Sequence, residues 1–164
     1  MKEKSSFKLF LSVFESLRMA DGPILFEEIF EVRSVNPDGK AFEKVTRFAA
    51  TSMTYNMEML IDINTDIYPL KGNDKFTLAL ASTLYRDNRP DPGVYTDYSK
   101  ENTLMDDYEY CMYGKVFKYQ YKDNGKILIY ISYGGLLMSL EGEMKHIEKV
   151  KYGDRVYCLI RTIK

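Results

Sequence analysis

The sequence has few of the residues on which disulfide-bonded, metal-binding and catalytic proteins depend. It contains no tryptophan, one histidine and two cysteines among 164 residues. Cys111 and Cys158 both stand in apolar, strand-like segments, and their number and spacing make neither a disulfide framework nor a zinc site. We therefore predict buried free thiols in a reducing compartment. The single histidine, His146, lies in a charged connector, and we interpret it as a surface residue rather than a base or ligand.

An excess of positive charge is also absent. The chain carries 23 Lys and Arg against 24 Asp and Glu, which gives a formal net charge of −1. A domain that binds nucleic acid through its phosphates usually has a clear basic excess. The charge balance therefore disfavours strong phosphate binding by the domain as a whole, although it is compatible with a local basic face.

Catalytic motifs are missing as well. The sequence has no serine nucleophile elbow, no P-loop and no cluster of histidines and cysteines. The stretch DINTD, residues 62–66, resembles the start of a calcium loop, but Ile67 and Asn73 stand where such a loop needs glycine and glutamate. We interpret its carboxylates as a solvated strand end. We expect no catalytic residues, no metal and no cofactor.

Long hydrophobic runs are absent too. The apolar run at residues 9–14 is too short for a secretory signal core or a membrane span, so we expect no membrane association. The first 18 residues do show helical spacing of Phe7, Phe10, Leu11, Phe14 and Leu17. We predict an N-terminal helical appendage, residues 1–19, outside the main domain. It is either an upstream extension before Met19 or a docking helix, and its acidic residues disfavour a transit peptide.

What the sequence does contain, from residue 24 onward, is strand-forming text. The segment NMEMLIDIN places Met57, Met59, Ile61 and Ile63 on one face, in the period-two pattern of a half-buried strand. The segment YKDNGK, residues 121–126, predicts a hairpin, because Asn-Gly adopts the positive φ values of a type I′ turn. About eight such strands, in one domain over residues 20–164, predict a sandwich or a barrel. Barrel closure would remove exposed sheet edges.

Residues 86–107 interrupt this strand pattern. The segment contains Pro90, Pro92, several aspartates and few aliphatic residues. Loops of this length inside a compact domain are uncommon, and they are either functional or disordered. We predict a long mobile loop.

Gly134 and Gly135 interrupt the most strand-like segment, residues 129–142. The apolar residues before the pair are odd-numbered, such as Ile129 and Ile131, whereas Met138 and Leu140 after it are even-numbered. Side chains alternate between faces with period two, so the phase slips by one residue at the glycines. We favour a structural bend or bulge at a barrel corner. A two-residue Gly-Gly hairpin is the alternative.

One basic and aromatic stretch, GKAFEKVTR followed by phenylalanine, is the candidate binding patch. We predict that Lys40, Phe42, Lys44, Arg47 and Phe48 bind single-stranded nucleic acid weakly, through base stacking and backbone charge. The alternative is an ordinary solvated strand. Tyrosines 108, 110, 113, 119 and 121 would either stack on bases, cover the barrel exterior or meet a protein partner.

A family resemblance is carried by six motifs in order: ILFEEIFEV, INTDIYPL, DKFTLALASTLY, DDYEYCMYGKVFK, SYGGLLMSLEG and RVYCLIR. Together they resemble the small OB-fold subunit, eighth in the usual naming, that is common to nuclear DNA-dependent RNA polymerases I, II and III. The resemblance covers residues 24–163. It leaves residues 1–19 outside and places a variable, often mobile region at residues 86–107.

The resemblance implies an all-β, eight-stranded antiparallel OB-like barrel built from two joined halves. It also implies a non-catalytic nuclear protein that binds the largest polymerase subunit, while the magnesium-dependent chemistry belongs to the large subunits. Weak, non-specific single-strand binding would fall on residues 36–59, which contain the candidate patch. The alternative function is a stand-alone OB-type single-strand-binding protein. The near-zero net charge favours the polymerase subunit.

Overall fold

Eight antiparallel strands close into a barrel, in a computed structural model that describes residues 22–94, 96–98 and 100–164. Around the barrel the strand order is β1-β2-β3-β7-β6-β5-β8-β4. The strands are β1 Ile24–Val35, β2 Val45–Ser52, β3 Glu58–Asn64, β4 Lys75–Ala81, β5 Tyr110–Tyr121, β6 Lys126–Tyr133, β7 Leu136–Glu143 and β8 Arg155–Ile163. A single helical turn, α1 Met144–Ile147, precedes β8. The predicted all-β, eight-stranded antiparallel barrel is confirmed.

The barrel interior is packed with side chains that alternate along each strand. Inward residues such as Phe30, Phe48, Phe76 and Ile129 are fully buried. Period-two alternation sends their neighbours to the outer surface, which explains why the sequence pattern is visible in β3 and β6. The predicted helical appendage at residues 1–19 and the domain boundary at residue 20 lie outside the described residues, and that division stays a prediction.

Glu28 is the one acidic residue at an inward position of β1, and local hydrogen bonds satisfy its carboxylate. Oε1 accepts a hydrogen bond from the Ile29 N–H at 2.7 Å, and Oε2 accepts one from the Ser52 hydroxyl at 3.0 Å. The same Ser52 oxygen accepts the Tyr55 N–H at 2.8 Å. This chain of contacts ties β1 to the β2–β3 turn and supplies the partners without which the buried Glu28 carboxylate would be costly.

Gly134 and Gly135 form a two-residue hairpin turn between β6 and β7. Tyr133 pairs with Leu136, and the two glycines have φ values of 63° and 103°, as a type I′ turn requires. The favoured bend or bulge was therefore wrong, and the hairpin alternative is confirmed. The phase slip has a simple cause, since a two-residue turn pairs an odd-numbered residue with an even-numbered one.

The second predicted hairpin is also present, with a longer loop than a two-residue turn. The Lys122 N–H donates to the Lys126 carbonyl at 2.9 Å, so residues Asp123–Gly125 form the loop between β5 and β6. Asn124 and Gly125 have φ values of 66° and 73°. The Asn-Gly pair thus supplies the positive φ values that the sequence suggested.

A second, smaller core lies outside the barrel, beneath the predicted long loop. Strands β4 and β8 are buried on both faces over most of their length. Ala79 and Leu159 on their outer face pack with Leu84, Leu104 and Tyr157. Within residues 86–107, Leu104 contributes to this cluster, whereas Val94 is 72% exposed.

Polar contacts close the base of the same loop. Arg86 donates to both carboxylate oxygens of Asp107, at 2.7 and 3.0 Å, and to the Thr103 carbonyl at 2.9 Å. Tyr85 and Thr103 form a β-bridge. These contacts bring the two ends of residues 86–107 together, and the mobility of this segment stays a prediction.

Candidate functional site

The predicted patch divides between a loop and a strand. Lys40, Phe42 and Lys44 are exposed on the loop that joins β1 to β2. Asn36 and Arg47 close the base of that loop, because the Asn36 N–H donates to the Arg47 carbonyl at 2.7 Å and Asn36 Oδ1 accepts the Arg47 N–H at 3.1 Å. Residues 36–39 form a turn at the start of this loop, with Gly39 at a φ of 76°. The structure thus brings three of the five residues together in solvent.

Phe48 does not belong to a binding surface. Its side chain is 0% exposed and lies in the barrel core, whereas Phe42 is 65% exposed. A ring without exposed faces cannot stack on a base, so the predicted role of Phe48 was wrong. The reason is register: β2 begins at Val45, and its even-numbered residues Phe48 and Ala50 point inward.

Arg47 faces outward from β2 but is held by Asp62 on the neighbouring strand β3. The two residues are direct partners in the sheet, and the guanidinium donates twice to the carboxylate, at 2.7 and 3.1 Å. The hydrogen bond that the Arg47 guanidinium donates to Asp62 is the main cause that raises the pKa of Arg47. Much of the hydrogen-bonding capacity of Arg47 is therefore used within the barrel.

Asp62 has a structural role that the sequence did not indicate. Pairing between β3 and β7 ends at Ile61 and Met138, and Asp62 Oδ2 accepts the next N–H, that of Leu137, at 3.0 Å. The Asp62 residue is buried. Its interpretation as part of a solvated strand end was wrong, because Arg47 and the β7 backbone together replace water around the carboxylate.

A shallow groove of about 430 Å³ follows the outer face of β2, β3, β7 and β6. Its central row runs across the sheet through Ala49, Leu60, Ser139 and Tyr130, which are successive register partners. The small side chain of Ser139 separates Leu60 from Tyr130, and the small side chain of Ala49 lies on the other side of Leu60. Leu60 and Leu137 are 40% and 41% exposed, so this face presents apolar surface to solvent.

Sequence reasoning missed this groove, although one signal was present. In NMEMLIDIN, the outward positions Glu58, Asp62 and Asn64 are polar, and Leu60 is the apolar exception among them. The other members of the row come from three further strands. Their alignment depends on register between segments that lie far apart in the sequence.

The predicted tyrosines are distributed over several environments. Tyr110 is buried, and its ring stacks on Tyr68 with centroids 5.3 Å apart. Tyr113 and Tyr121 are exposed. Tyr108 and Tyr119 are half-buried. They therefore do not form one continuous stacking platform.

The cysteine and histidine side chains occupy environments close to those expected. Both cysteines are free; Cys158 is buried and Cys111 is half-buried. Burial raises the pKa of the Cys111 thiol to about 12 and also raises that of Cys158, so both are protonated at neutral pH. His146 is half-buried, and its ring stacks on Tyr55 with centroids 3.9 Å apart.

Within residues 22–94, 96–98 and 100–164, no three His, Cys, Asp or Glu side chains group as metal ligands. Over the same ranges, no helix has the length and apolar character needed to cross a membrane.

Comparison with known protein families shows to which family the chain belongs. The family described as RNA polymerase Rpb8 matches residues 27–162, which run from β1 to β8. This chain belongs to the Rpb8 family. The resemblance stated from the six motifs is thereby confirmed. The loop patch, the Arg47–Asp62 pair and the outer groove all lie inside the range that matches the Rpb8 family.

Relatives from distant eukaryotes extend this finding. A protein of Arabidopsis thaliana named DNA-directed RNA polymerases II, IV and V subunit 8B is 46% identical over 147 residues, 88% of this chain and 100% of that protein. Members of the Rpb8 family named DNA-directed RNA polymerases I, II, and III subunit RPABC3 are 43% identical in Dictyostelium discoideum and 34% in Saccharomyces cerevisiae. Each match covers 84% of this chain, and 96% and 97% of the relatives respectively.

Proposed function

We propose that this chain is a non-catalytic subunit shared by the nuclear RNA polymerases I, II and III, and that it supports assembly by binding the largest subunit. It would act in the nucleus and hold no cofactor of its own. The assignment to three polymerases is supported by the names of the Dictyostelium and Saccharomyces relatives, which both include polymerases I, II and III. The observation that carries the proposal is that the similarity to known polymerase subunits extends along their whole length. The chain covers 96% to 100% of the three relatives described above.

The architecture fits a protein that works through its outer surface. The barrel interior is packed with buried apolar side chains such as Phe30, Phe76 and Ile129. Apolar residues exposed in a groove are typical of surfaces that partners cover. We therefore assign the groove around Leu60 to the contact with the largest subunit.

Affinity purification tests this proposal directly. The tagged full-length chain, expressed in cells that naturally make it, is expected to recover the largest subunits of all three polymerases. Extracts are treated with nuclease before capture, so that a protein bridged only by nucleic acid is lost. Recovery of the large subunits after nuclease treatment supports a subunit of the enzyme. Recovery of the chain alone contradicts the proposal.

A matched pair of variants tests the groove in the same experiment. Leu60→Arg places a charge in the groove and is expected to reduce recovery of the largest subunit by about thirtyfold, the loss of a hot-spot contact of about 2 kcal/mol. Ile67→Arg is the control, since Ile67 is 71% exposed outside the groove. Equal recovery with both variants would reject the groove and leave the polymerase assignment intact.

A second function, weak binding of single-stranded nucleic acid, is favoured by the exposed loop group. Lys40, Phe42 and Lys44 provide two cations and one ring on one loop. Single-strand binding generally combines backbone charge with stacking on aromatic rings. The buried Phe48 and the paired Arg47 leave a small site, so we infer weak affinity. This argues against a stand-alone single-strand-binding protein.

The salt dependence of binding tests that inference. We expect the double variant Lys40→Ala, Lys44→Ala to lower the slope of log K against log salt by about 1.4, since each phosphate contact on a single strand contributes about 0.7. Fluorescence anisotropy with a labelled oligodeoxythymidine measures it. The control double variant Lys100→Ala, Lys151→Ala removes two exposed lysines elsewhere. Tight binding at physiological salt, or an equal change in both variants, would contradict a weak site on this loop.

A further inference from the structure

A cavity of about 700 Å³ lies outside the barrel, between residues 84–106 and the outer face of β5 and β8. Leu84, Met105 and Cys111 line it with apolar surface. The three tyrosines Tyr98, Tyr113 and Tyr157 also line it. The rings of Tyr113 and Tyr157 lie against each other, with centroids 4.5 Å apart. The cavity is therefore rich in aromatic surface while it opens to solvent.

One carboxylate is fixed among these tyrosines. Asp91 Oδ1 accepts hydrogen bonds from the Tyr157 hydroxyl at 2.6 Å and from the Tyr98 hydroxyl at 3.5 Å. Its second oxygen, Oδ2, accepts the Gly93 N–H at 3.0 Å. The Asp91 side chain is thus oriented by groups from the loop and from β8, and it does not depend on a ligand for its position.

The charged side chains among the described residues that line the cavity are all carboxylates. Asp97 and Asp106 also line it, and no Lys, Arg or His is found among the described residues of the lining. Asp106 accepts the Thr103 N–H at 3.0 Å as part of a capping box.

The tyrosines stay neutral beside this charge. Burial raises the pKa of Tyr157 and of Tyr113, and the proximity of Asp91 raises both further. Their rings therefore keep protonated hydroxyls and full π faces over the physiological pH range. Aromatic faces attract cations, and a carboxylate beside them adds a charge-assisted hydrogen bond.

We propose that this cavity receives a cationic side chain, an arginine or a lysine, from a partner polypeptide. The inference goes beyond the proposed polymerase contact, since the Leu60 groove lies on a different set of strands. Three features of the site select the ligand: an apolar floor accepts the aliphatic stem, the tyrosine faces accept the cation, and Asp91 accepts its N–H groups. A neutral side chain of equal length keeps N–H groups but lacks the positive charge that strengthens both of the last two interactions, and an acidic side chain offers neither.

A titration of the full-length chain tests the proposal without any partner protein. Isotope-labelled chain is titrated with Nα-acetyl-arginine methylamide, with Nα-acetyl-lysine methylamide and with the neutral citrulline equivalent, and backbone amide shifts are followed by NMR. We expect shifts at Tyr113 and Tyr157, with at least one cationic probe binding about fivefold or more tightly than citrulline. The two cationic arms distinguish arginine from lysine. Equal binding of all three probes, or no shifts at these residues, would overturn the proposal.

Matched variants assign the binding to the cavity. Asp91→Asn removes the charge but keeps an oxygen that accepts the Tyr157 hydroxyl, and it is expected to weaken cationic binding while the contribution of the tyrosine faces remains. Asp87→Asn is the control, because Asp87 lies in the same loop, outside the cavity, paired with Arg89. If Asp91→Asn fails to fold, Tyr113→Leu provides the second test, since Tyr113 is 38% exposed and its loss removes one aromatic wall. Undiminished binding in the folded variant contradicts the site.

Discussion

Replacing Gly114 by alanine is expected to destabilise the barrel by about 3 kcal/mol or more. Gly114 lies in β5 and faces the interior, where it pairs with Val156 of β8. A Cβ at this position would lie 2.5 Å from Cδ1 of Tyr133 and 2.9 Å from the Ser132 carbonyl carbon, and it would press on the Ser132 carbonyl oxygen as well. Two of these contacts are backbone atoms of β6, which cannot rotate away.

The close approach at Gly114 has a packing cause. The buried Tyr133 ring fills the space that a side chain at residue 114 would occupy, and its hydroxyl donates to the Met138 sulfur at 3.7 Å. Glycine is therefore needed here for space rather than for backbone freedom. Because the neighbouring strands are closed into a ring, a shift of β6 would propagate to β7 and β5.

Thermal and denaturant unfolding measure the Gly114 effect. A loss of about 3 kcal/mol corresponds to a fall of about 6 to 12 °C in Tm for a domain of this size. Gly72→Ala is the matched control, since the closest atom to its added Cβ is Val35 Cγ2 at 4.0 Å and the backbone there is ordinary. A Gly114→Ala protein as stable as the Gly72→Ala protein would show that β5 and β6 are not packed as described.

The barrel was largely predictable because its determinants are local. Alternation with period two in β3 and β6, and the Asn-Gly hairpin, follow from short stretches of sequence. The Gly134-Gly135 pair shows the limit of that approach. A bulge and a two-residue hairpin shift the phase of the apolar residues equally, so residue parity alone could not choose between them.

Contacts between distant segments were not predictable from single stretches. Asp91 and Tyr157 are 66 residues apart, and neither position carries a signal that would pair them. The proline and aspartate content of residues 86–107 indicated a loop, which is correct, but it gave no sign of the cavity beneath. Arg47 is similar, because its partner Asp62 lies across a strand pair, 15 residues away.

Within the predicted patch, Phe48→Ala is expected to lower the free energy of unfolding strongly, whereas Phe42→Ala is expected to leave it almost unchanged. Phe48 is fully buried, and truncating a core phenylalanine to alanine costs about 4 kcal/mol through lost burial and the cavity left behind. Phe42 is exposed on the β1–β2 loop, so its truncation should change the free energy of unfolding by less than about 0.5 kcal/mol. Denaturant unfolding of both variants under the same conditions measures the difference.

Oligonucleotide binding completes this comparison, since it separates a role in folding from a role at the surface. We expect Phe42→Ala to weaken single-strand binding by about 1 kcal/mol or more, the loss of one stacked base, with unchanged stability. Phe48→Ala, studied at a temperature where it remains folded, should bind as the wild type does, because the ring that it removes lies inside the barrel. Loss of binding with retained stability in Phe48→Ala would require an exposed ring and would contradict the register of β2. That result would also mean that Phe48 belongs to the binding patch after all.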